Sequence, residues 1–260
     1  MKKYYLSIDC GLTKMKAALF SLAGDAVYTN DIDTPHDNTG INTTKIYNAV
    51  ITLISDAVKS SGVKPEEILS VSVSGHGNGL YMIGENGVLP FGYSSTYTKS
   101  KHFTPDTSET FDITLQSSWS GQPLAILSHI KHTNPFLFKK IRKILFCKDL
   151  VKYILTGRIC TDYTDASAAG ILNYKTGEYD SKLMQIYNLD EDDISLLPEI
   201  VNCTDIIGNV SEKFSELTGL STKTVVLGGL YDVNSCMLGV GVISPNKYCI
   251  ISGTWGINCA

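Results

Sequence analysis

The chain has 260 residues, 43% of them hydrophobic, and a formal net charge of −4. That length can bury a sizeable core in one large α/β unit, and its composition excludes a disordered or collagen-like chain. No Lys/Arg run is long enough to form a basic stripe, which argues against nucleic acid as a partner. The seven cysteines are scattered, odd in number and free of any C-x-x-C pair, so they make neither a disulfide framework nor a zinc site and fit reduced thiols in the cytoplasm. Lys2 and Lys3 precede an apolar run that Asp9 interrupts after five residues, too short for a signal peptide, and no stretch approaches the length of a membrane span.

In chain order, Leu6 and Ile8 predict a first strand, Ala17 to Phe20 a second, and Val27 to Asn30 a third after the turn Ala23-Gly24-Asp25, together an antiparallel meander. From Asn42 to Lys59 the period changes. Ile46, Val50, Leu53, Ile54, Ala57 and Val58 fall on one helical face behind an Asn42 or Thr43 cap, and Gly62 and Pro65 stop the helix. Leu69, Val71 and Val73 alternate with serines as a half-buried strand, which opens into the glycine-punctuated segment Ser74-Gly75-His76-Gly77-Asn78-Gly79, a ligand edge. Tyr81 to Ile83 form another strand.

Residues 105–157 read as mostly helical, with Pro123 and Pro135 in first turns, a short strand at Ile144 to Phe146, and Gly157 as a stop. Residues 161–202 are rich in Asp, Tyr and turn signals, and no order of elements emerges from them. Ser211 to Thr218 is a helix ended by Gly219. A strand at Thr224 to Leu227 runs into Gly228-Gly229-Leu230-Tyr231-Asp232 and a helix through Gly239. The last stretch, residues 247–256, is an apolar strand into a Gly-Thr turn. It needs a neighbour and none is visible after it, so it reads as the opening of a second domain.

Chemistry concentrates at three places. The first hairpin carries Asp9, Gly11, Thr13 and Lys14, a set suited to holding a phosphate and its Mg²⁺, although Asp9-x-Gly11-x-Thr13 taken alone reads as an ordinary polar turn. Its second reading gains from Gly253-Thr254, a similar turn after an apolar strand, because two such hairpins can clamp the phosphates of a nucleotide. Asp232 follows a Gly-Gly turn at a strand tip and begins a helix, whose positive end favours an ionised carboxylate. Such an Asp is either a plain cap or a general base. Glycine spacings for a Walker A loop or a dinucleotide fingerprint are absent.

The joint order Asp9-Cys10-Gly11-x-Thr13, Ser74-Gly75-His76-Gly77, Leu155-Thr156-Gly157, Asp165-Ala166-Ser167, Gly229-x-x-Asp232 and Gly253-Thr254 resembles the FGGY carbohydrate kinases, most of all the xylulose kinases acting on L-xylulose. The resemblance implies an α/β, actin-like ATPase (ribonuclease H-like) domain with a mixed sheet and flanking helices, spanning residues 1–245, with 246–260 the opening strand and turn of a second domain. It implies ATP and Mg²⁺ as cofactors and a sugar as substrate. Asp9, Gly11, Thr13 and Lys14 fall on the first phosphate hairpin, Asp9 also on the metal, and Gly253 and Thr254 on the second hairpin. His76 and Gly77 fall on the sugar loop, and Asp232 is the catalytic base at the sugar. Leu12 stands where a small or hydroxyl residue is usual, and Ser94 to Lys99 lack the Asp and Arg that many members carry near the sugar.

The rival readings are a non-catalytic sugar-sensing module of the same fold and an actin-like ATPase switch, and a homodimer is left open. His129 and His132, three apart on a helix, read as dipole-stabilised side chains rather than a metal pair. Asp162, Asp165 and Glu191-Asp192-Asp193 read as caps or a solvated face before a cation site. Trp119 either walls the sugar site by stacking or belongs to the core.

Overall fold

The computed structural model describes residues 2–35, 40–252 and 256–259. Its N-terminal meander consists of β1 (Tyr4–Cys10), β2 (Lys14–Ser21) and β3 (Ala26–Asp33), followed by α1 (Thr43–Ser60) and β4 (Ile68–Gly75). After these come α2 (Pro123–Thr133), α3 (Cys147–Thr156) and α4 (Tyr163–Ala168). The chain then returns to the sheet through β5 (Ile206–Asn209), α5 (Glu212–Thr218), β6 (Val225–Leu227) and β7 (Leu230–Tyr231), and continues into α6 (Asp232–Gly239).

The main sheet is mixed and runs β5-β6-β4-β1-β2-β3, with β7 also paired to β4. β1 to β3 are antiparallel neighbours, whereas β1, β6 and β7 each run parallel to β4. Period-2 alternation fixes the inward face of β1, where Leu6, Ile8 and Cys10 are buried. One core cluster joins that face to Ile46, Val50, Leu53 and Ile54 of α1, Leu150 and Leu155 of α3 and Phe214 of α5. Each aliphatic side chain buried in this way contributes roughly 1.5–3 kcal/mol. The Asn42 side chain caps α1 by accepting from the Lys45 N–H, an interaction worth about 1 kcal/mol.

A second cluster holds Leu124, Leu127 and Ile130 of α2 against Met82, Ile144, Phe146, Leu183 and Tyr187. Here Tyr81–Gly84 pairs antiparallel with Lys143–Leu145, which accounts for the short strand read between the helices. Residues 160–201 prove to be a succession of two- and three-residue strands and short helices.

One expectation needs correction. The terminal strand, β8 (Cys249–Ser252), does have a following neighbour: it pairs antiparallel with β9 (Gly256–Cys259) as a separate two-stranded ribbon. Ile250 on it and Tyr248 just before it are largely exposed, so local pairing satisfies its backbone without burying these side chains.

Candidate functional site

The site grows from the carboxyl ends of three adjacent strands. β4 lies between β1 and β7, and the register sets Asp9 and Leu230 opposite Ser74, and Cys10 and Tyr231 opposite Gly75. The next residues, the loop from His76 and the helix starting at Asp232, therefore leave the sheet side by side. This is the edge where parallel α/β sheets place ligands. Gly229 permits the approach: its φ is +77°, and a Cβ there would lie 2.3 Å from the Val73 carbonyl oxygen.

A cleft of about 1120 Å³ opens at this edge, lined by His76, Gly77, Asn78, Ser95, Trp119, Thr164, Tyr231 and Asp232, by Leu12 of the first hairpin and by residues of β8 and β9. Trp119 thus forms part of the wall. Asp232 opens the first turn of α6, and its Oδ1 accepts from the Val233 N–H at 2.7 Å. Burial raises its carboxyl to about 6; the Val233 N–H and His76 oppose the shift, and Asp9 adds to it. His76 is 6% exposed. Burial works against its charge, but the Cys147 sulfur beside it, the Gly77 carbonyl and Asp232 raise the imidazole to about 9. Cys147 is held well below the usual thiol range, first by a hydrogen bond from Cys10 and then, against burial, by His76 and Tyr81. Tyr81 Oη lies 3.3 Å from His76 Nε2.

In the first hairpin, Ser74 Oγ donates to Asp9 Oδ1 at 3.0 Å and the Gly11 N–H donates to the Lys14 carbonyl at 3.0 Å. Thr34 holds the turn, its N–H on the Thr13 carbonyl and its hydroxyl on the Gly11 carbonyl. Thr13 is exposed at the tip, and the Lys14 ammonium pairs with Asp31 and sits 3.8 Å from Asp33. Asp9, His76, Gly77 and Asp232 are therefore brought together, with Gly11, Thr13 and Lys14 on the adjoining hairpin. Gly253 and Thr254 lie outside the described residues.

A buried ionic network beneath the cleft escaped the sequence. Lys148 of α3 reaches Asp149 Oδ1 at 2.6 Å, Asp162 Oδ1 at 2.8 Å and Asp165 Oδ2 at 3.0 Å, while Lys152 reaches Asp149 Oδ1 at 2.9 Å. All five side chains are essentially inaccessible. Burial opposes the Lys148 charge, yet the three carboxyls hold it well above the usual lysine range. Burial raises Asp165 to about 7, against the pull of Lys148. Two lysine side chains thus face three carboxyl groups in a site closed to water, and the raising of Asp165 limits the negative charge gathered there.

From there, order passes to the cleft. Asp162 Oδ2 accepts from the Thr164 N–H and hydroxyl, Thr164 Oγ1 accepts from the Tyr231 N–H at 2.9 Å, and Lys152 Nζ donates to the Gly228 carbonyl at 2.7 Å. The strand carrying Asp232 is tied on both sides of its Gly-Gly turn. Gly77 fits against the same unit, since a Cβ there would lie 2.5 Å from the Tyr231 ring and 3.1 Å from Asp165 Oδ1.

The other candidates lie elsewhere. His129 Nε2 meets Tyr97 Oη at 2.9 Å, His132 Nδ1–H donates to the Ser128 carbonyl and its ring stacks on Phe103, and Asp193 pairs with Lys131 at 2.6 Å. Among the described residues no helix is long and apolar enough to cross a membrane.

The chain is similar to known carbohydrate kinases. A family model described as the FGGY family of carbohydrate kinases, N-terminal domain, matches residues 4–239. The chain is 30% identical to a probable L-xylulose kinase of Pasteurella multocida, over 98% of this chain and 55% of that protein. It is 26% identical to the L-xylulose/3-keto-L-gulonate kinase of Escherichia coli, over 99% and 54%. The chain thus spans about half the length of the curated relatives it matches. The crystal structure of gluconate kinase from Lactobacillus acidophilus superposes with a TM-score of 0.89 at 24% identity, over 98% of this chain and 53% of that one, a likeness of fold.

Proposed function

The chain belongs to the FGGY family of carbohydrate kinases, with their actin-like ATPase fold, and from that premise we propose that its protein transfers the γ-phosphoryl group of ATP to a hydroxyl of a ketopentose such as xylulose, or a closely related sugar. The observation that carries this reading is the meeting of Asp9, the His76-Gly77 loop and a carboxyl raised to about 6 on Asp232 at one sheet edge beside a cleft.

Asp232 acts as the general base. A carboxyl near 6 is ionised at neutral pH yet basic enough to accept the proton of the attacking hydroxyl. His76, carrying its charge, favours the ionised form of Asp232, and with Gly77 and the Trp119 wall it orients the sugar. The network under the cleft holds Tyr231, and with it Asp232, in place, so that catalysis comes mainly from positioning. Asp9 fits Mg²⁺: it is a half-buried carboxylate with Oδ1 steadied by Ser74, an oxygen donor of the kind this hard cation takes. Gly11, Thr13 and Lys14 belong to the first phosphate hairpin, and the family resemblance assigns Gly253 and Thr254 a phosphate-binding role. Bound ATP with Mg²⁺ supplies the phosphoryl group and neutralises charge on it during transfer.

In the same reading residues 1–245 form the first domain and 246–260 open a second. The family match ending at 239 and the separate β8–β9 ribbon support that division. The test is a thermal-shift panel of ketopentoses, ketohexoses and polyols on this chain and its Asp232→Asn variant. A ligand that binds only the native state raises the melting temperature, so a ketopentose response retained in the variant is the expected result. A panel without any response refutes a sugar pocket on this domain.

A further inference from the structure

Gln122 is the residue before α2, where a polar side chain ordinarily accepts from the first N–H groups of the helix. Here it does not. The amide turns back to the loop that carries Trp119 into the cleft wall: its Oε1 accepts from the Trp119 backbone N–H at 3.1 Å and its Nε2 donates to the Ser117 carbonyl at 3.3 Å. The same Oε1 accepts from the Tyr187 hydroxyl at 2.9 Å, and Gln122 and Tyr187 are both buried, so the loop is anchored to the second core cluster. The Gln122 N–H donates to the Trp119 carbonyl at 3.2 Å, which closes the turn from its other side. Gly121 leaves room for the indole, since a Cβ there would lie 2.4 Å from the Trp119 ring and 1.8 Å from the carbonyl oxygen of Ser95, another residue of the wall.

We propose that Gln122 is a positioning residue whose buried amide fixes the turn that holds the Trp119 indole ready to pack on the C–H face of the bound sugar, an inference that rests on the sugar-kinase reading above. An aromatic ring offers a large apolar surface at a binding site. A ring that must first be ordered gives up rotamer freedom when the sugar binds, whereas one held in place beforehand does not. An apolar side chain at position 122 would leave the Trp119 N–H and the Tyr187 hydroxyl without their shared acceptor, and the turn would loosen. The residue therefore acts on the sugar through the indole and touches no reacting atom.

The experiment measures dissociation constants for xylulose by calorimetry on the wild-type chain, Gln122→Met, Trp119→Ala and the double variant. Methionine keeps the length of the side chain and removes its polar end, so Gln122→Met is expected to bind about threefold to tenfold more weakly, the range for one neutral hydrogen bond. Trp119→Ala is expected to lose about tenfold through lost apolar contact. In the double variant the change at Gln122 is expected to add less than about twofold, because its effect runs through the indole. Tyr187→Phe keeps the ring and removes one hydroxyl remote from the cleft. It is expected to weaken xylulose by about twofold to fivefold with Trp119 present and not in Trp119→Ala, and it carries the same cycle if Gln122→Met does not fold. If the wild type binds xylulose and these changes weaken it by the same factor with and without the indole, or not at all, the role of Gln122 is overturned and the sugar reading stands. Binding by Trp119→Ala as tight as that of the wild type overturns it equally. If the wild type binds no ketopentose, both fall together.

Discussion

Replacing Lys148 by methionine removes the ammonium that Asp149, Asp162 and Asp165 share at 2.6, 2.8 and 3.0 Å while keeping most of the side-chain volume. Lys152 remains, but it is already engaged by Asp149 and the Gly228 carbonyl. Three carboxyl groups are then opposed by one lysine in a site closed to water. Breaking a buried pair from one side costs about 3–5 kcal/mol; at about 2–4 °C per kcal/mol for a chain near this size, the melting temperature falls by roughly 6–20 °C.

The loss depends on pH. Asp165, which burial raises to about 7 even with Lys148 beside it, moves further above its unfolded value once that ammonium is gone. Its protonated form is therefore favoured in the folded chain, and stability is lost as pH rises through the raised value. Circular-dichroism melts of wild type and Lys148→Met at pH 5.5 and pH 8 measure this, and the gap between the two proteins is expected to be smaller at pH 5.5. A variant melting within about 2 °C of wild type at pH 8, a far smaller loss than breaking a buried pair entails, or a gap that widens towards acid, refutes the reasoning.

Gly77→Ala brings a methyl group to 2.5 Å from the Tyr231 ring; overpacking of this kind costs about 1–3 kcal/mol, read as a lower urea midpoint, and it should weaken sugar binding more than any change remote from the cleft. Asp232→Asn removes a carboxyl that burial raises to about 6. Because a raised acid loses stability as pH rises from its unfolded to its folded value, the variant is expected to exceed wild type at pH 8 by on the order of 1–2 kcal/mol and to keep only about half of that advantage at pH 5; equal melting curves at both pH values contradict the shift.

The meander, α1 and β4 were legible because alternation and helical period report burial directly, and the Gly-Gly turn and glycine-rich loop marked the sheet edge. The network was not. In α3 the apolar residues Leu150, Tyr153, Ile154 and Leu155 would ordinarily mark the inward face, whereas Lys148, Asp149 and Lys152 are fully buried and Tyr153 and Ile154 only partly so. Lysine and aspartate normally mark the solvated side, and their exception here depends on mutual pairing between α3 and residues 162–165. For the same reason residues 161–202 resisted ordering: their elements are two to six residues long, and some are held by contacts such as Thr164 to Tyr231 that no local pattern encodes. The glycines around His76 made the loop at this edge readable, but the buried Oδ1 of Asn78, without a hydrogen-bond partner, emerges only once its neighbours are in place.

The most direct test of the central claim, that Asp232 is the base in sugar phosphorylation, is the rate of sugar-dependent ADP release between pH 5 and 8, measured on the kinase carrying this domain as wild type and as its Asp232→Asn variant. The account predicts turnover that rises through about pH 6 in the wild type, and in Asp232→Asn a loss of about 10²–10⁴-fold with little change in sugar affinity. Near-normal turnover in Asp232→Asn, or a wild-type rate that falls as Asp232 ionises, contradicts it.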